Sequence, residues 1–176
     1  MTTDTPMNAV PLALLPVTTS HPAIAVSAVA RADADVLLQL SREHAAQAAA
    51  ERRAYGPARE DTLEFLEALF EPPLRAWAWL ARVDGQAVGY AGATAGFSLL
   101  ERGYSFHLDT LYVRPDHAGL DLDLALFGQA QAMATRLGCL NLQWQAPVWT
   151  AAARRWNRQA ARSEVARFVM PLAAAD

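Results

Sequence analysis

The chain has 176 residues, 53% hydrophobic and 19% charged, a composition that sustains one globular domain and excludes a disordered one. A formal net charge of −3 offers no basic footprint for nucleic acid. All 15 basic residues are Arg, which excludes a Schiff-base lysine and the lysine of a Walker-type phosphate loop.

Residues 1–22 carry a short apolar run without a basic flank, interrupted by Pro6, Pro11 and Pro16. They read as a flexible leader, not a signal peptide or membrane span, ahead of a single domain over residues 23–176. Residues 23–30, "AIAVSAVA", suit a first strand. In the following stretch Val36, Leu37, Leu40 and His44 fall at helical spacing, with Asp33 or Asp35 at the helix start. Tyr55-Gly56-Pro57 ends that helix. A second, acidic helix follows over residues 60–70, with Leu63, Leu66, Leu69 and Phe70 on its apolar face, until Pro72-Pro73 stops it.

Next comes period-two alternation on both sides of Asp84-Gly85, the strongest hairpin signal in the chain. A third strand of this meander covers residues 104–113. The helix after it spans about residues 120–137, with Leu122, Leu126, Ala130, Met133 and Leu137 as its buried stripe and Gly138 as its C-cap. "CLNLQWQA" reads as a strand, "TAAARRWNRQAA" as a helix and "EVARFVM" as a closing strand. The order β-α-α-β-β-β-α-β-α-β predicts an α+β fold on one mixed, mostly antiparallel sheet.

Cys139 is the only cysteine, which rules out an intrachain disulfide and fits a reducing cytoplasm. It reads as a buried small apolar residue. The four His show no metal-ligand spacing, so no metal is expected. Trp77 and Trp79 share one sheet face, facing a helix. Glu60, Asp61, Glu64, Glu67 and Glu71 either attract a polycationic amine or form the solvated face of the second helix. Arg154, Arg155, Arg158, Arg162 and Arg167 either grip an anion or serve solubility.

The segment "LDTLYVRPDHAGLDLDLAL" has a strand, Val-x-Pro, a loop and then a helix. With the element order over residues 23–171 it resembles the GCN5-related N-acetyltransferase (GNAT) superfamily. "FHLDTLYVRPDHAG" and "LQWQAPVWTAAARRWNRQAARSE" look most like its diamine and polyamine acetyltransferase branch. The resemblance implies transfer of acetyl from acetyl-CoA to a small primary amine; the net charge and the lack of an apolar span indicate no nucleic-acid or membrane partner, and a homodimer is an open alternative. It implies a pantetheine arm along the backbone at Leu111 and Val113, and a pyrophosphate received by residues Ala118, Gly119, Leu120, Asp121, Leu122 and Asp123. It also implies a cofactor contact near Trp149 and a role for Asp109 in deprotonating the amine through water. Strand packing or an ion pair is the alternative for Asp109. Tyr104, Tyr112 and His107 stand nearby as substitute proton donors.

Three elements depart from the family pattern: the loop, the general-acid place and the Asn place that maps near Trp149. Ala118 replaces the basic or amide residue of Arg/Gln-x-x-Gly-x-Gly/Ala, and Asp121 and Asp123 fill its two small positions. A carboxylate facing another unit charge at about 4 Å costs roughly 4 kcal/mol at an effective dielectric near 20. Alternatively the acids stabilise their own helix by about 0.3–1 kcal/mol each, or the loop rearranges and still binds. Trp156 occupies the place of the general-acid Tyr, and an indole N–H cannot reprotonate a leaving thiolate near neutral pH. A non-catalytic binding or regulatory module that does not hold CoA in the ordinary way is therefore the second expectation.

Overall fold

A computed structural model describes residues 22–51 and 62–145. Within them lie β1 (Ile24–Ala28), α1 (Ala34–Ala50), α2 (Leu63–Phe70), β2 (Ala76–Val83), β3 (Gln86–Ser98), β4 (Gly103–Val113), α3 (Leu122–Arg136) and β5 (Asn141–Trp144). The five strands form one sheet in sequence order, antiparallel except for the parallel pair β4–β5. These eight elements follow the order read from the sequence. The leader, the last helix and the closing strand expected from the sequence lie outside the described residues, as do Trp149 and Trp156.

Asp84 and Gly85 both take positive φ, 49° and 83°, the backbone of a type I′ hairpin turn whose twist matches that of the flanking strands. Asp84 also fastens the sheet edge. Its N–H donates to Ala23 O at 2.8 Å, and its Oδ1 accepts from Ala23 N at 2.9 Å. At the end of α3, Gly138 with φ 68° completes a Schellman cap. Its N–H bonds Thr135 O, and that of Cys139 reaches back to Ala134 O, each at 3.0 Å.

The sheet separates two cores. On one face Trp79, Ala81, Val88, Ala91, Ala93, Phe106 and Leu108 meet Leu122, Leu126, Ala130 and Ala134 of α3, with Trp77 packed alongside. That i, i+4 stripe accounts for the docking of α3, and each fully buried leucine in it contributes about 1.5–3 kcal/mol. On the other face Leu37 and Leu40 of α1 cover Ala78, Leu80, Tyr90 and Tyr112, with Phe65 and Leu69 of α2 beside them.

Four sequence expectations need correction. Val36 is exposed, because the step of about 100° from Leu37 turns it to solvent. Leu63 is 65% exposed; the inward stripe of α2 passes through Phe65 and Leu69 instead. Ala134 continues the α3 stripe where Leu137 was expected, and Leu137 lies in the cap, exposed. Cys139 is partly buried, a free thiol whose pKa burial pushes up. In addition, α3 begins at Leu122, two residues later than expected, because Gly119 and Asp121 adopt left-handed backbone.

Candidate acetyl-transfer site

β4 carries the site. It pairs with β5 only from Ser105 opposite Asn141 to Leu108 opposite Trp144. Beyond Leu108, residues 109–113 have no ladder partner on that side among the described residues, so their backbone N–H and C=O groups line an edge. On the β3 side the register slips between Gly92, opposite Thr110, and Ala93, opposite Leu108. Asp109 is the extra residue, a β-bulge that re-aims its side chain just past the end of the β4–β5 ladder. Its exposed carboxylate is held by Thr94, whose hydroxyl donates to Oδ2 at 2.8 Å.

Around this bulge the sheet face shared with α1 turns polar. His107 lies opposite Thr94 in the ladder, and Gly92 and Gly96 flank Thr94 on the same face. A Cβ on Gly92 would sit 2.8 Å from Thr110 Oγ1, so the absence of a side chain there keeps the floor flat. The two tyrosines are not proton donors for this spot. Tyr104 lies five residues up the strand, about 17 Å away at 3.3 Å per residue, and it packs edge-on against Phe97. Tyr112 is buried beneath α1, where desolvation raises its pKa. His107 remains near Asp109.

At its other end β4 feeds the loop. Residues Pro115–His117 form a 3-10 turn; Gly119 follows with φ 100° and Asp121 with φ 55°, ψ 21°, and α3 then starts. Nothing lies within 4 Å of where a Cβ on Gly119 would point, so its positive φ alone favours glycine there. Asp121 occupies the N-cap position yet makes no side-chain cap bond. The expected self-stabilisation of the helix by Asp121 therefore involves no side-chain cap bond and rests on the helix dipole. By helix geometry the N–H groups of Leu122, Asp123 and Leu124 have no acceptor within α3. Leu120 and Asp123 are half-buried, Ala118 and Asp121 exposed, and Leu122 buried in the α3 core.

Between loop and α1 lies a polar knot that sequence reasoning missed. Arg114, directly after β4, donates from Nε and Nη2 to the two carboxylate oxygens of Glu43, each at 2.8 Å, and from Nη1 to Ala87 O at 3.3 Å. Its backbone N–H bonds Val88 O at 2.9 Å. The bond to Arg114 holds the Glu43 carboxyl below its ordinary range, and the same bond raises the Arg114 pKa. Next to Glu43, His44 Nδ1 shares a 3.1 Å hydrogen bond with the Tyr90 hydroxyl, while its ring stacks on Tyr112. Burial pushes the Tyr90 phenol up. Partners 71 residues apart leave no local pattern from which this knot could be read.

Glu67 on α2 and Glu71 at its C-cap form ion pairs with Arg75 and Arg31, which favours the solvated-face reading for those two acids. Among the described residues no group of three or more His, Cys, Asp or Glu is placed to hold a metal ion, and no helix is long and apolar enough to cross a membrane.

A β4–β5 ladder that ends at Leu108 among the described residues, a bulge beside its end and a loop running into a helix N-terminus together make the strand-loop-helix unit expected from the sequence. The family model described as the acetyltransferase (GNAT) family matches residues 39–159. The chain belongs to the GNAT acetyltransferase family. Solved structures agree with this fold. A ribosomal-protein-alanine N-acetyltransferase from Brucella melitensis biovar Abortus 2308 is similar with a TM-score of 0.65 at 23% identity, over 85% of this chain and 100% of that one. An aminoglycoside acetyltransferase, meta-AAC0020 from an uncultured soil metagenomic sample, in complex with trehalose, gives 0.68 at 16% identity, over 85% and 97%. The aminoglycoside N-acetyltransferase AAC(6')-Iy in complex with CoA gives 0.66 at 14% identity, over 92% and 100%. No curated protein sequence matches the chain. At these identities the likeness of this GNAT domain to the solved structures is one of fold.

Proposed function

We propose that this GNAT domain transfers acetyl from acetyl-CoA to a small primary amine, of the diamine or polyamine kind, in a reducing cytoplasm. The observation that carries the reading is Asp121. It stands where the family pattern has Gly, and it keeps the left-handed backbone a glycine would supply, a conformation Asp tolerates better than most residues. This backbone supports the reading of a cradle that persists without its glycine. Gly119, Asp121 and the first turn of α3 would hold the pyrophosphate, with Ala118, Leu120, Leu122 and Asp123 shaping the loop, and the β4 edge at Leu111 and Val113 would orient the pantetheine arm. Trp149 is the remaining cofactor contact.

The acceptor amine loses a proton through water to Asp109, whose carboxylate Thr94 orients, and its lone pair attacks the thioester carbonyl. The C–N bond forms, the C–S bond breaks, and the thiolate takes its proton from solvent because the indole N–H of Trp156 is not acidic enough to supply one. Bound acetyl-CoA contributes the activated acyl group.

The second reading, a non-catalytic binding or regulatory module, has its own observation: the carboxylates of Asp121 and Asp123 stand at the helix start that would receive the pyrophosphate. Acetyl-CoA at a hundred times a micromolar dissociation constant would stabilise the fold by about 2.7 kcal/mol, or roughly 5–10 °C in Tm. The expected result is that shift, with CoA release from an amine acceptor reduced about 10²–10⁴-fold in Asp109→Asn. An unchanged Tm supports the module; a Tm shift with full activity in Asp109→Asn removes Asp109 from the mechanism.

A further inference from the structure

Between the first half of α1 and the turn end of the β2–β3 hairpin lies a cavity of about 310 Å³. That volume falls at the lower end of the roughly 300–1,000 Å³ typical of small-molecule sites. The cavity is on the α1 face of the sheet, whereas the coenzyme loop leads into α3, which covers the other face. Its walls divide by chemistry. Val36, Leu40 and Ala87 form the apolar part, and Arg82, Arg114 and Gln86 the polar part. Val36 is 39% exposed at the end of a helix that is otherwise well covered, so the cavity also explains where that side chain faces.

The two guanidiniums flank Ala87, which is the ladder partner of Arg82 and whose carbonyl accepts from Arg114 Nη1. Both side chains are withdrawn from water, with 23% of Arg82 and 20% of Arg114 left exposed. Each is fixed by a carboxylate that does not itself line the cavity. Asp33 Oδ1 accepts from Arg82 Nη2 at 2.7 Å, and Glu43 takes the Nε–Nη2 fork of Arg114 at 2.8 Å. Of the five N–H donors in a guanidinium, the bonds to Glu43 and Ala87 engage three on Arg114, and those to Ser27 and Asp33 two on Arg82. The remaining donors can serve an acceptor in the cavity. Because the acids already hold both forks in place, little side-chain entropy is lost when that acceptor arrives. An ammonium group would meet only donors there, and a hydrocarbon would strip water from two cations without replacing its hydrogen bonds. An oxyanion carried on a short aliphatic chain matches both walls.

We propose that this cavity binds a small organic oxyanion, with its carboxylate or phosphate group between Arg82 and Arg114 and its aliphatic part against Val36, Leu40 and Ala87. The site is independent of acetyl transfer. Succinate and glycerol 3-phosphate serve as probes, titrated into the ¹⁵N-labelled full chain without CoA. The Nε–H signals of Arg82 and Arg114 should move saturably, with a Kd under about 1 mM at low salt. A response to succinate alone assigns a carboxylate ligand and one to glycerol 3-phosphate alone a phosphate ester; either supports the site. Gln86 is exposed, so Gln86→Glu should keep the fold while its added charge raises Kd about 5- to 10-fold. Val36→Trp, also at a partly exposed position, should fill the cavity and abolish binding with the circular dichroism spectrum unchanged. If neither probe moves the two arginine signals at about 10 mM, the proposal is overturned. Affinity unchanged in both variants, or shifts confined to the coenzyme loop, overturns it equally.

Discussion

Replacing both loop acids, Asp121→Gly with Asp123→Gly, separates charge from backbone at the coenzyme loop. Asp121 is exposed, so its repulsion toward a pyrophosphate about 4 Å away is closer to the 1 kcal/mol of water than to the 4 kcal/mol of a dielectric near 20. Asp123 is half-buried and falls between the two. Together they should weaken binding by about 2–4 kcal/mol, roughly 30- to 1000-fold in Kd. The unliganded protein should change little. Glycine at φ 55° in place of Asp121 relieves a left-handed cost of about 1–2 kcal/mol, while losing two acids at a helix start costs about 0.6–2 kcal/mol and the added chain entropy of two glycines about 0.8–2 kcal/mol. The net loss is about 1 kcal/mol. Calorimetric titration with CoA should therefore show much tighter binding at a Tm within a few degrees of wild type. The gap should narrow as salt rises from about 0.01 to 1 M and the Debye length falls from roughly 30 to 3 Å. Equal affinities for variant and wild type at low salt would refute the electrostatic reasoning.

Two further outcomes test the scaffold. The folded-state pKa of Glu43 is depressed, chiefly by its bond to Arg114, so the pair's stabilisation is complete above the unfolded value of about 4.3 and is lost as pH falls through the folded one. Glu43→Gln should lower Tm by about 2–4 °C at pH 7, equivalent to about 1 kcal/mol after discounting for solvent contact. The difference from wild type should shrink steadily as pH falls below the unfolded value, and a gap that stays constant contradicts the ion pair. Gly89→Ala places a Cβ 2.7 Å from Tyr112 O and 3.2 Å from Val113 Cα, both backbone atoms of β4 that cannot swing aside. Denaturant unfolding should show a loss of about 1–3 kcal/mol, and a neutral result would mean that β3 and β4 are less closely apposed than described.

Much of this protein was decided within short windows of sequence. Asp84-Gly85 specified a hairpin because few residue pairs accept two positive φ values, and Gly138 specified the end of α3 for the same reason. Alternation and helical spacing set the order of the eight described elements, and "LYVRPDHAG" carried the resemblance that the family match bears out. The face each residue presents was harder to read: Val36, Leu63 and Leu137 fit an apolar period, but only the partner surfaces decided that Ala134 and Phe65 point inward instead. The site depended most on tertiary structure. A one-residue register slip made Asp109 a bulge held by Thr94, and 71 residues separate Glu43 from Arg114. Local propensities act over a few residues of chain, whereas ladder register and long-range pairing follow from how whole elements pack. Composition and spacing therefore set the fold, while the positions of its chemical groups awaited assembly.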